Sequence, residues 1–296
     1  MKLYSTRLMF LAFAGFSLLL TSCEESSTTQ NPDTAIADTV KVSTSGTFLL
    51  DGEIFSIPSP VQTALLLKKE KVNFQQDLLN PVENRGKYLT EVQKAMNLGV
   101  YGADLAFVSC QDNAQLSMNY FDAVGKLSAD IGILDNIDKS FVQRFMDNAG
   151  EGDSLIALNA DFYRAGDRYL KDNKNTKTAV LILLGGWVES LHLAINSAAG
   201  NAAILQRIGE QRDAVTSLAR LTASLDDPGL IDLKKNLSEL SQVFADLKST
   251  YEYKQPIVDA QKQRTFLTSK TVVTMDTDQL AEIAGLVDAI RKNIIQ

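Results

Sequence analysis

Hydrophobic residues recur every three or four positions over most of the chain, which is the spacing of amphipathic α-helices. The clearest stripe runs from Leu230 to Tyr251 in alternating steps of three and four residues. Residues 178–198 are apolar almost all round, which predicts a helix buried in a core. The pattern therefore predicts an all-α domain, a bundle of about eight antiparallel helices. The predicted helices span residues 61–71, 84–108, 113–131, 135–146, 153–170, 178–198, 202–225 and 230–251, with a last helix capped by Asp276 or Thr277.

Two segments have an extended pattern instead. Residues 48–60 contain Ile54, Phe55 and Ile57 followed by Pro58 and Pro60, which favours a short strand or a fixed extended segment. Residues 271–275 are rich in threonine and valine and predict a second short strand. The two segments could pair with each other as a small two-stranded β element.

The N-terminal segment has the pattern of a bacterial lipoprotein signal. Lys2 and Arg7 precede an apolar stretch over residues 8–20, which is too short to span a membrane. Small residues then lead to Cys23. Such a signal is cut before its cysteine, which is acylated, so Cys23 is predicted to be a lipid anchor.

This signal divides the chain into three predicted parts. Residues 1–22 form the signal peptide. Residues 23–46 are polar and lack bulky apolar residues, so they predict a disordered tether. Residues 47–296 are predicted to form a single helical domain.

Charge and cysteine content narrow the function classes. The chain has 29 basic and 36 acidic residues, and removal of the first 22 residues leaves a formal charge of −9. An acidic surface repels phosphate backbones, which argues against nucleic acid as a partner. The second cysteine, Cys110, follows an apolar run without a basic neighbour, so we interpret it as a buried small hydrophobic residue.

His192 is the only histidine, and this excludes several kinds of site. Zinc fingers, two-histidine zinc helices and three-histidine metal sites cannot be built from one histidine. Glu189 and His192 have the Glu-x-x-His spacing of di-iron bundles, but those proteins need the motif twice. No phosphate-binding loop, dinucleotide fingerprint or nucleophile elbow is present either. We therefore predict no metal and no cofactor.

Two acidic residues, Asp104 and Glu189, lie within strongly apolar helices, where a carboxylate must be paired or hydrogen-bonded. One interpretation is structural ion pairing, and the arginines considered as partners are Arg85, Arg144, Arg164 and Arg168. The other is a polar cluster in a cleft between helices that binds a small polar ligand. The candidate ligand-binding residues are then Tyr101, Asp104, Trp187, Glu189 and His192. In the last helix, Arg291 and Lys292 suit the negative end of the helix dipole.

Glycines interrupt the two most apolar helices, at Gly99, Gly102, Gly185 and Gly186. Each weakens a helix by about 1 kcal/mol relative to alanine. Close approach of two helices in the core explains them adequately. Space for a ligand between the helices is the alternative.

Several strings together resemble a family of helical lipoproteins from Bacteroidota. They are Ile57-Pro58-Ser59-Pro60, Leu78-Leu79-Asn80-Pro81, Leu98-Gly99-Val100-Tyr101-Gly102-Ala103-Asp104-Leu105, Gly185-Gly186-Trp187-Val188-Glu189 and Ile290-Arg291-Lys292-Asn293-Ile294. The resemblance covers most of the chain after Cys23. It implies a helical fold and an envelope location but no reaction, because no activity is assigned to the family. The members compared have a bulky aromatic residue at the position of His192, which weakens the metal interpretation further.

The sequence thus predicts a lipoprotein of the cell envelope, held by Cys23 at a membrane, most consistent with the outer membrane, facing the periplasm or the surface. We favour a non-enzymatic binding or structural module with an unknown protein or small-molecule partner. The alternative is a small-ligand or metal-binding protein, or an enzyme, that uses Glu189, His192 and Asp104. The two differ in whether these three side chains open onto a pocket or are buried with protein partners.

Overall fold

The structure is a computed structural model that describes most of the chain from Ser45 onward. The described residues are 45–50, 53–111, 113–133, 139–148, 151–158, 160–161, 175–259, 261 and 263–296. The predicted signal peptide, the lipidation site Cys23 and nearly all of the predicted tether lie outside them. The predicted tether ends two residues too late, because a strand already begins at Ser45.

The chain is mostly helical, with a few short antiparallel strands, so the predicted all-α class is confirmed. We number the helices α1 (Pro60–Lys69), α2 (Glu91–Ser109), α3 (Ala114–Asp130), α4 (Lys139–Asp147), α5 (Thr176–Ser197), α6 (Ala202–Gly209), α7 (Arg212–Ala223), α8 (Ile231–Ala245) and α9 (Thr277–Ile295). Residues 152–158 are also helical. Short 3-10 helices span Gln76–Leu78, Val82–Lys87 and Pro228–Leu230.

The strands form three antiparallel pairs. β1 (Ser45–Leu50) pairs with β2 (Glu53–Pro58) as a hairpin. β3 (Lys248–Glu252) pairs with β6 (Lys270–Thr274), and between them β4 (Ile257–Asp259) pairs with β5 (Arg264–Phe266). The strand predicted over residues 271–275 therefore exists, but its predicted partner is wrong. β2 and β6 each pair with a strand that lies nearer along the chain.

Helices α2 and α5 form the centre of the domain and make the most extensive helix contact in the described structure. Both are buried over most of their length. Helix α3 packs on α2, α1 packs on both, and α9 packs against α5, α8 and α2. The core side chains run from Ile57 to Ile294, so one hydrophobic core joins β2 to α9.

Two of the predicted glycine positions explain how closely α2 and α5 approach. A methyl group added at Gly99 would overlap the backbone carbonyl oxygen of Ile182, and one at Gly185 would overlap that of Met96. The two helices therefore touch backbone to backbone at these positions. The close-approach interpretation of these glycines is confirmed, and the space is occupied by the neighbouring helix.

Three of the predicted helices have boundaries that differ from those in the structure. Helix α2 begins at Glu91 rather than residue 84, because Thr90 and Gln93 form a reciprocal capping box. The predicted helix over residues 202–225 is broken between α6 and α7. The heptad stripe from residue 230 does not remain helical to Tyr251, because α8 ends at Ala245 and residues 248–252 pair as a strand instead.

Helix α5 is long and apolar enough to cross a membrane by length and composition alone. Its apolar window is 78% buried within the domain, which is the environment of a core helix. The sequence prediction that this segment is a core helix agrees with that burial.

Candidate functional site

The site forms around the segment Leu78-Leu79-Asn80-Pro81, which connects two 3-10 helices and buries its two central residues. Leu79 has an extended backbone conformation, and the helical hydrogen-bond pattern is interrupted at Asn80, whose backbone groups bond to side chains. Leu79 is 3% exposed and Asn80 is fully buried. Buried peptide groups need hydrogen-bond partners, and outside a helix or sheet side chains must supply them.

Asn80 forms hydrogen bonds through both its backbone and its side chain. Its backbone N–H donates to Asp104 Oδ2 at 3.1 Å, and its carbonyl oxygen accepts from the Tyr120 hydroxyl at 3.0 Å. Its side-chain amide donates to the Tyr88 hydroxyl at 2.9 Å, and its Oδ1 accepts from Asn84 Nδ2 at 2.8 Å. Asn80 is thus the centre of a buried hydrogen-bond network.

The backbone carbonyl oxygens of Leu78 and Pro81 also accept hydrogen bonds from side chains. The Tyr101 hydroxyl donates to the Pro81 carbonyl oxygen at 2.8 Å. Arg291 Nη2 donates to the Leu78 carbonyl oxygen at 2.9 Å. Side chains from α2, α3 and α9 therefore hold successive parts of this segment.

Glu189 and Arg291 form the ion pair of the site. Arg291 Nε lies 2.7 Å from Glu189 Oε2, and Nη2 lies 2.8 Å from Oε1, so the contact is bidentate. The Glu189 side chain is fully buried and that of Arg291 is 13% exposed. Burial opposes the charge on Arg291, but the paired carboxylate outweighs it and raises the pKa of the guanidinium.

Asp104 lies beside this pair and is fully buried. Burial raises the pKa of its carboxyl well above the ordinary value, and the neighbouring charge of Glu189 raises it further. Its Oδ1 accepts no hydrogen bond from the described residues. Both causes act in the direction that avoids two adjacent negative charges in the interior beside Arg291.

The tyrosines of the network are held in the neutral form. Burial is the largest cause that raises the pKa of Tyr88, Tyr101 and Tyr120, and the acids nearby add to it. Their rings also pack on one another, with centroids 6.4 Å apart for Tyr88–Tyr101 and 6.1 Å for Tyr101–Tyr120. These hydroxyls therefore act as hydrogen-bond donors and acceptors of fixed geometry.

Trp187 and His192 lie apart from this cluster. Trp187 is 2% exposed, and its Nε1 donates to Gln211 Oε1 at 3.0 Å. His192 Nδ1 lies 3.1 Å from Asp288 Oδ1 and 3.2 Å from Asn196 Nδ2. Its Nε2 is buried and has no partner in the part of the chain that the structure describes.

The structure thus brings together three of the five predicted ligand-binding residues, Tyr101, Asp104 and Glu189. The partner of Glu189 is Arg291. It is not one of the four arginines proposed from the sequence, of which Arg164 and Arg168 lie outside the described residues. The sequence does contain an indication that Arg291 could pair with a buried acid. Arg291 stands four residues after the buried Val287 and so lies on the apolar face of α9.

The described residues line a small cavity and a surface groove. A cavity of about 10 Å³ lies against Trp187, between Thr63, Ser190, Arg207 and Gln211, and it can hold at most one water molecule. A groove of about 490 Å³ lies on the surface between α8 and α9, lined by Glu239, Asp246 and Glu282, among others. It contains none of the predicted site residues.

The described residues do not form a metal-binding geometry. No group of three or more His, Cys, Asp or Glu side chains that could hold a metal ion occurs in that part of the chain. Cys110 is 5% exposed and packs in a small apolar cluster with Val61, Ala106 and Ile156, as its sequence context predicts.

Comparisons of the chain with protein-family models, with curated proteins and with solved structures found no match. The site is therefore interpreted from its own geometry.

Proposed function

We propose that this protein is a lipid-anchored envelope lipoprotein whose helical domain is a non-enzymatic binding or structural module. The anchor rests on the pattern that ends at Cys23. The location in a bacterial envelope, at the outer membrane, rests on the same pattern and on the resemblance to Bacteroidota lipoproteins.

One observation supports a non-enzymatic role above the others. The acids at the centre of the molecule are buried and bonded to protein groups rather than directed at a pocket. Glu189 is paired with Arg291, and Asp104 accepts from the Asn80 backbone. Asp104 accepts from the buried segment directly, and Glu189 holds Arg291, which donates to the Leu78 carbonyl oxygen, so both acids have a structural task.

The alternative is a ligand-binding, metal-binding or catalytic cleft that uses Glu189, His192 and Asp104. It would require a cation or polar ligand to displace Arg291 from a bidentate contact. His192 lies next to Asp288 rather than Asp104, so the three side chains do not converge on one opening. The closed cluster weighs against this alternative.

The anchor is tested by the intact mass of the protein extracted from membranes. We expect a chain of 274 residues that starts at Cys23 and carries added acyl mass. Cys23→Ala should keep its N-terminal segment and gain no acyl mass, whereas Cys110→Ala should be processed like the wild type. A wild-type chain with residues 1–22 intact and no acyl mass would refute the anchor.

The non-enzymatic role is tested by native mass spectrometry and metal analysis of the same extracted protein. We expect no stoichiometric metal or small molecule. A bound species that is lost in both Glu189→Gln and His192→Ala would refute the proposal and support the cleft.

A further inference from the structure

We call residues 248–274 the arm. Within it, β3 pairs with β6 and β4 pairs with β5, both antiparallel. The base of the arm is fixed to the helices. Gln206 donates to the Thr271 carbonyl oxygen at 2.9 Å and accepts from the Val273 N–H at 3.2 Å. Arg212 donates to Ser249 Oγ at 3.2 Å.

The arm exposes apolar side chains, most of them in its outer part, residues 253–267. Six of the nine large apolar residues that are exposed in the described part of the chain belong to the arm. Such a concentration in one place marks an interaction surface rather than scattered surface residues. They are Tyr251 (65% exposed), Tyr253 (70%), Ile257 (60%), Val258 (69%), Phe266 (48%) and Leu267 (81%).

The strand register places these side chains on both faces of the ribbon. Ile257 stands opposite Phe266, so the two share one face, and Val258, the next residue along the strand, lies on the other. A protein groove or an added strand would cover one face or one edge. A fluid apolar medium can cover both faces at once.

The charge of the arm is opposite to that of the rest of the chain. The arm has five basic residues and two acidic ones, a formal charge of +3, while the remainder of the chain carries −10. Within the arm, Glu252 is paired with Lys270 at 3.5 Å. Lys254 and Arg264 flank the apolar residues of the outer part and are exposed.

We propose that the outer part of the arm inserts into the interfacial region of an anionic lipid bilayer. Its apolar side chains would enter the headgroup–acyl boundary, and Tyr251 and Tyr253 would lie at headgroup level. Lys254 and Arg264 would contact the anionic headgroups, while the acidic helical body is repelled from them. The contact goes beyond the proposed function and does not require the lipid on Cys23.

The test uses full-length chains with a tryptophan placed in the arm, Leu267→Trp or Tyr253→Trp. Trp187 is buried, so it gives a constant background emission. The control is Ile231→Trp, because Ile231 is 65% exposed and lies outside the arm. Each chain is mixed with vesicles of brominated phosphatidylcholine, with or without phosphatidylglycerol.

With phosphatidylglycerol we expect the Leu267→Trp emission to shift to shorter wavelength and to fall about twofold, since bromine quenches only inside the bilayer. The Tyr253→Trp emission, at headgroup level, should shift in the same direction and be quenched less. The Ile231→Trp emission should not change. Replacing Lys254 and Arg264 by Gln in the Leu267→Trp chain should weaken vesicle binding about fivefold for each lost charge.

Three results would overturn the proposal. The first is unquenched emission from both arm tryptophans in chains that retain native thermal unfolding. The second is equal quenching of Ile231→Trp. The third is a lipid-free shift that grows with protein concentration, because the arm would then dock on a second copy. Whether Cys23 is lipidated is measured separately, by the intact mass of the protein. An unlipidated Cys23 would contradict the proposed anchor but would not affect the test of the arm.

Discussion

Asn80 shows how one buried polar residue can hold an irregular segment inside a helical core. Its backbone and side chain form hydrogen bonds with five residues, which are Tyr88, Asn84, Asn97, Asp104 and Tyr120. An apolar residue here would leave the Tyr88 hydroxyl and Asn84 amide without this partner, and unsatisfied buried groups are costly. The network therefore specifies one conformation of the segment rather than merely filling space.

Removing Arg291 tests the ion pair at residue scale. Arg291→Met should lower the free energy of unfolding by about 3–5 kcal/mol, because it leaves the buried Glu189 carboxylate without its partner. It also removes the donor to the Leu78 carbonyl oxygen. Urea unfolding followed by circular dichroism measures the change.

The matched control is the exposed pair Lys126–Asp122, whose atoms lie 2.6 Å apart. Lys126→Met should change the free energy of unfolding by less than about 1 kcal/mol. The double variant Glu189→Leu/Arg291→Met should be more stable than Arg291→Met alone, because no unpaired carboxylate remains. If Arg291→Met were no more destabilised than Lys126→Met, Arg291 would not be holding the site together.

The raised pKa of Asp104 makes a prediction about pH. Between its unfolded pKa of about 3.9 and its higher folded pKa, the folded protein keeps a proton that the unfolded chain has released. The stability contributed by this group is complete below the unfolded pKa and declines as pH rises, by at most about 1.4 kcal/mol per pH unit. Asp104→Asn stays neutral and keeps an acceptor oxygen for the Asn80 N–H. Its stability relative to wild type should therefore increase with pH in this window, measured by urea unfolding from pH 4 upward.

Asp122→Asn is the matched control for the exchange itself, because the Asp122 side chain is exposed. A constant difference between Asp104→Asn and wild type across the window would mean that Asp104 is ionised in the folded protein.

At the scale of single residues, the sequence indicates which acids lie in apolar surroundings but not which residues pair with them. Asp104 and Glu189 stand out because their helices are otherwise apolar. Asn80 and Arg291 lie 24 and 102 residues from the acids that they contact, and periodicity within one helix carries no information on such contacts. The apolar-face position of Arg291 is visible in the sequence, but its nearness to the helix end suggests the dipole instead.

At the scale of elements, the contact between α2 and α5 depends on two glycines. Gly99→Ala or Gly185→Ala should each lower the free energy of unfolding by about 3 kcal/mol, because the methyl group meets backbone that cannot rotate away. Gly285→Ala in α9 is the control, since a methyl group there has nothing within 4 Å. It should raise the free energy of unfolding by about 1 kcal/mol through helix propensity. Destabilisation by all three exchanges alike in thermal or urea unfolding would show that helix packing is not the cause.

The break between α6 and α7 leaves no mark in the hydrophobic pattern. Ile204, Ile208, Val215 and Leu218 are buried, and Gln211 occupies the stripe position between Ile208 and Val215. Gln211 is itself buried and bonded to Trp187, so the three- and four-residue spacing continues across the break. Periodicity therefore predicts one helix where the backbone forms two.

The end of α8 is hidden in the same way. Leu247 and Tyr251 continue the heptad of this helix beyond Ala245, where it ends. Arg212 donates to the Leu247 carbonyl oxygen, and β3 begins at the next residue. Helix positions thus follow from periodicity, whereas this helix end depends on strand pairing and on a side chain from a distant element.

At the scale of the whole molecule, the arm differs in charge and polarity from the body, by which we mean the rest of the described domain. The arm is basic and exposes apolar side chains, whereas the remainder of the chain is acidic. The main hydrophobic core lies in the body, apart from Val273, which anchors the base of the arm. No described residue between 248 and 272 belongs to that core. The arm is therefore attached to the domain at its base, while a two-stranded ribbon of this kind is marginally stable by itself.

Shortening the arm tests this division. Residues 253–269 can be replaced by Asn-Gly, which closes a two-residue hairpin on the opposed pair Glu252 and Lys270. We expect the midpoint of thermal unfolding to stay the same, because the residues removed contribute nothing to the core. Full-length wild type is the reference, and Val273→Ala is the matched variant at the base, expected to lose about 1 kcal/mol of stability because it removes buried methyl groups. If the shortened chain lost more stability than Val273→Ala, the outer arm would be part of the folding unit. Its exposed apolar side chains would then serve the stability of the domain rather than contact with an outside surface.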